Sequence, residues 1–244
     1  MLETVQGAQP RTHSVITFTS SGMMARSLSV PPLTNEHALR PLDHRATILR
    51  VEREDEIVAQ DEAARYCYLI VSGCARTVQL MEDGRRHVGE FMFAGDIFGM
   101  DVLDRHDFSV EAVSTVTVRR YVRNDVEILA DQDRDVSRWL REISARRMRA
   151  SRDHMVLLGR KTASERIASF LLEMSDRIRR RDQSEIELPM SRADMGDYLG
   201  LTIETVCRRL TRLRDEGTIA IKGSTISICD QRALGAADRG RLVH

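Results

Sequence analysis

Glycine and proline are nearly missing from the middle of this chain of 244 residues: residues 124–181 hold Gly159 alone and no proline. That excludes hairpins and tight loops there and leaves helix as the expectation. Cysteine is sparse, four in all, and residues 1–66 have none. Four scattered thiols make no disulfide framework, so reduced thiols in a cytoplasmic protein are expected. No run approaches the roughly 20 apolar residues of a membrane helix. The first residues, MLETVQGAQPRTH, lack the basic-then-apolar layout of a secretory signal. His13, His37, His44, His87 and His106 show no Cys-His-acid or metal-ligand spacing, which argues against an enzyme and against a bound metal. Lysine is almost replaced by arginine: of 37 basic residues only Lys161 and Lys222 are lysines, a bias that coding preference can produce.

What is present is an ordinary globular composition, 42% apolar and 30% charged, long enough for one large domain or two modest ones. The formal net charge is zero, but it is unevenly spread. Residues 1–140 carry 16 basic and 22 acidic side chains, whereas residues 141–181 carry 12 and 5. Residues 182–188 add three acids, and residues 189–244 carry 9 basic and 7 acidic residues. An acidic front and a basic back would turn only the back towards a polyanion. Solvated faces of basic helices give the same pattern, so charge alone leaves both readings open.

Residues 1–35, rich in Ser, Thr and Met, read as a mobile extension, and Met23 or Met24 is a second candidate start. Residues 36–123 change texture. ATILRV, YCYLIV, ARTVQL, HVGEFMF, SVEAV and VTVRRYV are β-branched and aromatic runs divided by turn signals, which predicts an antiparallel sandwich or barrel. Helical periodicity takes over at Asn124. Over residues 124–160, Leu140, Ser144, Met148, Ser151, Met155 and Leu158 recur at steps of three or four. This stripe suits a core helix or a helix-pairing seam; the arginine-rich remainder of the surface favours a seam. In TASERIASFLLEMSDRIRRR, Ile167, Phe170, Leu171 and Met174 point inward on a second helix.

Residues 161–244 hold the most informative stretch, PMSRADMGDYLGLTIETVCRRLTRLRDEG. Ser191 and Asp194 form a capping-box pattern, Gly200 suits a left-handed helix end, and Thr202 caps a second helix. Ile203, Val206, Leu210 and Leu213 give that helix an apolar stripe, and Gly196 leaves room for close approach. Two short helices over a glycine turn make a helix-turn-helix. Glu204, Cys207, Arg208, Thr211 and Arg212 share the outer face near the helix start, where a groove-bound helix meets bases. Arginine can bond guanine O6 and N7, and glutamate can accept from the cytosine amino group. TIAIKGSTISI alternates around Lys222-Gly223-Ser224 as a hairpin wing. Ser191, Arg192, Thr202, Arg212, Lys222 and Ser224 are the phosphate candidates.

An α+β chain in this order resembles the CRP/FNR superfamily of transcription regulators. The resemblance covers about residues 45–230, and GDIFG, ASERIASFL and DYLGLTIETVCRRLTRL carry it. It implies an N-terminal antiparallel β-roll (a cupin-like jelly roll), a long dimerisation helix and a C-terminal winged helix-turn-helix. It also implies a cytoplasmic homodimer on double-stranded DNA that activates transcription through RNA polymerase. Glu204 and Arg208 then match the base-reading pair for a TTGA/TCAA-like half-site, with Ile203 placed to meet a thymine methyl. The sequence departs from the cyclic-nucleotide binders: Gly99 is followed by Met100-Asp101, and Phe108-Ser109 stands where Arg-Ser would meet the phosphate. It also lacks the N-terminal cysteine cluster of the iron–sulfur sensors. The FixK-like branch remains, with no cofactor expected, and control there is often exerted on protein amount by an oxygen-responsive system.

Cys67, Cys74 and Cys229 read as small buried hydrophobes. Cys207, where relatives commonly have serine, has two readings: a plain contact with a thymine methyl or sugar, or a redox thiol whose oxidation blocks the groove. A reading of another class stays open, an effector-binding module whose β-roll holds an unidentified small molecule.

Overall fold

The computed structural model describes residues 38–100, 103–178 and 185–238. The extension read over residues 1–35 lies outside them, as does Asp101. Eight strands form the front half: β1 (Thr47–Val51), β2 (Glu56–Val58), β3 (Tyr66–Ser72), β4 (Cys74–Leu80), β5 (Arg86–Phe93), β6 (Ile97–Phe98), β7 (Ser109–Ala112) and β8 (Val116–Val122). They pair antiparallel as two four-stranded sheets, β1-β8-β3-β6 and β2-β7-β4-β5. The interior between the sheets is filled by Tyr68, Ile70, Met92, Phe98, Val110 and Val118 among others, with Tyr68 and Phe98 stacked at 4.9 Å.

β3 carries an unbroken apolar run because both its faces are covered. Tyr68 and Ile70 point into the roll, while Cys67 and Leu69 pack outside against Val126, Trp139 and Ile143. The same holds for the β4–β5 pair: Ala75 and Met92 face the roll interior, and Cys74, Val78, Val88 and Phe91 face the other way into the C-terminal core.

The helical region is divided where the periodicity ran on. α1 (Arg123–Gln132) ends at Asp133, whose side chain accepts from the Asp135 and Val136 amides and starts α2 (Arg134–Arg160). That is an N-cap satisfying two of the orphan donors of a new helix. With 27 residues, α2 is about 40 Å long. α3 (Ala163–Ile178) follows and buries Ile167, Phe170, Leu171 and Met174. The remainder is β9 (Glu185–Glu187), α4 (Arg192–Leu199), α5 (Ile203–Asp215), β10 (Ile219–Lys222), β11 (Thr225–Ile228) and α6 (Gln231–Asp238). The wing is a three-stranded sheet, β10-β11-β9, in which Lys222 pairs with Thr225 across the hairpin.

Candidate nucleic-acid interface

α4 and α5 are set by their caps. The Ser191 hydroxyl accepts from the Asp194 amide at 3.1 Å, and the Asp194 carboxylate accepts the Ser191 amide at 3.0 Å, a reciprocal capping box. Gly200 closes α4 at φ 61°, ψ 42°, a left-handed conformation that favours glycine. Gly196 has no side chain because a Cβ there would stand 2.6 Å from the Leu201 carbonyl oxygen. The turn therefore packs directly on α4, which fixes how closely the two helices approach. Arg166, which the sequence pattern did not single out, reinforces this. It donates to the Leu199 carbonyl at 2.8 Å and the Leu158 carbonyl at 2.7 Å, meeting the unpaired carbonyls at the ends of α4 and α2.

Thr202 caps α5 by accepting from the Thr205 amide at 3.3 Å. Val206, Leu210 and Leu213 are buried, while Glu204, Cys207, Arg208, Thr211 and Arg212 lie exposed on the opposite side. Ile203 does not belong to the inward stripe: it is 45% exposed and joins the outer face. The apolar place it was expected to fill is taken by Leu201, which packs against the core from the turn. A bond from its own amide and one from the Thr202 hydroxyl hold the Glu204 carboxyl below the usual range, so it is an anionic acceptor at neutral pH. Arg208 makes no hydrogen bond or ion pair among the described residues.

The phosphate candidates are less free. Arg212 pairs with Glu216 at 2.7 Å along the same helix. Arg192 is half-buried with its guanidinium 3.4 Å from the Met195 sulfur, and burial lowers its pKa. The Ser191 and Thr202 hydroxyls serve the caps, and the Ser224 hydroxyl leans on Glu187 at 3.5 Å. Lys222 is exposed at the wing tip beside Ser224.

Cys67 and Cys74 are buried, and burial pushes the Cys67 thiol up to about 12 and the Cys74 thiol higher still. Cys229 corrects the expectation: it is exposed at the end of β11, where the strand leaves the sheet. Cys207 is exposed beside Arg208. On α2, Ser144, Met148, Ser151 and Met155 are exposed, as is the unanticipated Val156, whereas Leu140 and Leu158 are half-buried against the neighbouring cores.

A model described as a Crp-like helix-turn-helix domain matches residues 165–237, and one described as a cyclic nucleotide-binding domain matches residues 48–133. The chain is 40% identical to the nitrogen fixation regulation protein FixK of Azorhizobium caulinodans, over 76% of this chain and 77% of that one. It belongs to the CRP/FNR family, in its FixK-like branch. The transcriptional activatory protein AadR of Rhodopseudomonas palustris is 33% identical, over 81% of this chain and 86% of the relative. The structure of FixK2 from Bradyrhizobium japonicum superposes with TM-score 0.76 at 41% identity, covering 79% of this chain and 97% of that one. This FixK-like chain is thus a transcription regulator with a helix-turn-helix DNA-binding domain, and no described helix is long and apolar enough to cross a membrane.

Behind the reading unit of this FixK-like chain, half-buried His154 of α2 lies 4.3 Å, centroid to centroid, from the Tyr198 ring of α4. Burial, with the nearby His87 ring and Arg166 adding to it, lowers its pKa to about 4 from 6.5. The folded state therefore binds fewer protons than the unfolded chain between those values, so stability is full above about pH 6.5 and is lost as pH falls towards 4. The midpoint of thermal unfolding is expected to fall over that window, and less steeply in His154→Gln. Equal slopes in the two proteins would assign the loss to other groups.

Proposed function

We propose that this regulator is a homodimer that reads a TTGA-N6-TCAA-like inverted repeat and activates transcription, with neither an iron–sulfur cluster nor a cyclic nucleotide. The observation that carries it is the outer face of α5, where Ile203, Glu204, Cys207 and Arg208 stand exposed while Val206, Leu210 and Leu213 hold the helix to the core. A carboxylate facing DNA is repelled by phosphate, so an anionic Glu204 beside an unpaired Arg208 supports base reading over backbone contact. The half-site centres of such a repeat lie about 34 Å apart, one helical turn, the spacing at which two symmetry-related helices enter successive major grooves. Lys222 and Ser224 of the wing, with Ser191, Arg192, Thr202 and Arg212, would meet phosphates, Arg212 by exchanging Glu216 for a phosphate oxygen.

Two observations support independence from a cyclic nucleotide. Phe108 stands where a phosphate-binding arginine would be needed, and it packs partly buried on an interior already filled by Tyr68 and Phe98. The name of the Rhodopseudomonas palustris relative supports activation, which would proceed through RNA polymerase.

The test is a gel shift of purified, reduced, metal-free protein on the TTGA-N6-TCAA duplex. Tight binding is expected with no added ligand, and Arg208→Ala should cost about 1–3 kcal/mol of discrimination at one base pair per half-site. Equal losses on all sequences would remove Arg208 from base reading. Failure of the wild type would favour an effector-binding module instead. Peroxide should weaken binding through Cys207, beside Arg208 and Arg209, and Cys207→Ser should resist it. A serine variant that loses binding just as readily would place the sensitivity elsewhere. The dimer seam is assigned to Leu140, Ser144, Met148, Ser151, Met155 and Leu158. Met148→Glu is expected to elute as a monomer in gel filtration, and a stable dimer would overturn that assignment.

A further inference from the structure

The roll and the reading unit are joined by ion pairs, of which that between Arg76 and Asp194 is withdrawn from water. Arg76, in the middle of β4, is 3% exposed. Its guanidinium donates to Glu54 at 2.7 Å and to Glu111 at 2.7 Å, both on the roll, and to Asp194 of α4 at 3.1 Å. Arg86 of β5 reaches the same Asp194 oxygen at 3.2 Å and Asp197 at 3.5 Å. Asp194 is itself 3% exposed and divides its carboxylate between two tasks. One oxygen completes the capping box with Ser191, and the other receives both arginines of the roll.

The start of α4 is thus held by the same group that ties it to the roll. Because the Leu201 carbonyl packs directly against Gly196, the orientation of α5 is tied to that of α4. A second attachment lies on the flank, where Arg177 of α3 donates to Asp96 at 2.6 Å and to the Phe91 carbonyl at 2.8 Å. In this docked arrangement the roll touches α3 and α4 and leaves the outer face of α5 exposed. Buried pairs of this kind are weakly screened by salt.

We propose that Arg76, assisted by Arg86, is a positioning residue for DNA reading: from within the roll it holds α4 through Asp194, and so keeps α5 in a reading-competent orientation without any effector. The proposal rests on the ligand-free reading of the inverted repeat given above. It assigns to side chains of the roll the work that a ligand would otherwise do. A residue that acts this way should change the ratio of specific to non-specific affinity rather than the fold.

The experiment compares full-length wild type, Arg76→Met and Arg86→Met by circular dichroism, thermal melting, gel filtration and gel shift on the TTGA-N6-TCAA duplex and a scrambled duplex. Methionine keeps an unbranched apolar stem and removes the charge. The expected result for Arg76→Met is a folded dimer whose affinity for the scrambled duplex is unchanged and whose affinity for the repeat falls about tenfold or more, with a smaller fall for Arg86→Met. Where Arg76→Met does not fold, Arg86→Met, at the better solvated end of the same network, decides the matter. Unchanged specific affinity in the folded variants would overturn the proposal, and so would equal losses on both duplexes, which mark general damage. A wild type that fails on the repeat would overturn the ligand-free reading first, and the positioning role with it.

Discussion

One apolar core shared by the two halves of the chain constrains the rest of the structure. Phe91 of the roll lies 5.4 Å from Tyr198 of α4 and 6.2 Å from Phe170 of α3, ring centre to ring centre. Around them, Cys74, Val78 and Val88 meet Leu171, Met174, Met195 and Leu199. The β4–β5 pair must therefore be apolar on both faces, one for the roll and one for the reading unit. Burial on this scale contributes roughly 1.5–3 kcal/mol for each large side chain removed from water. The charged groups at the edge of this core are consequently desolvated and must be paired. Taking away one partner of such a pair costs about 3–5 kcal/mol, because the other is left stranded.

The reading helix answers two demands at once. Its inner side needs three apolar residues at helical steps, and its outer side needs groups that can address base edges. Ile203 shows how the turn settles the division. At the first helical position its side chain has no neighbour to bury it, since Leu201 already fills the core there. A single exposed apolar side chain is ordinary on a protein surface, so its place on the outer face costs the fold little.

Much of the front half was legible because its strands carry local signals. The six apolar runs quoted from the sequence became β1, β3, β4, β5, β7 and β8. β2 and β6 were not read, being three and two residues long, too short for any period to register. β9 hides in an acidic stretch, and α6 follows the wing with only a weak pattern. The break at Asp133 had a readable cap, but a helix-compatible sequence on both sides masked it. The caps at Ser191, Gly200 and Thr202 were read correctly because capping is local chemistry. The pairs Arg76–Asp194 and Arg177–Asp96 could not be read, since they join residues 118 and 81 positions apart along the chain.

Those long-range pairs also change what the charge count means. The basic excess of residues 141–181 suggested a surface for a polyanion, yet much of it is spent internally. Arg146 pairs with Glu142, Arg147 with Glu90, Lys161 with Asp238 and Arg177 with Asp96, while Arg166 serves backbone carbonyls. On α5 itself, Arg212 and Arg214 are held by Glu216 and Asp215. A side chain already paired with a carboxylate must exchange that partner before it can bind DNA, although for exposed pairs such as these the exchange costs only about 0–1 kcal/mol. Arg208 has no such partner to give up. The electrostatic signal for DNA is therefore better sought in an exposed, unpaired arginine on the reading face, as Arg208 is among the described residues, than in the net charge of the segment.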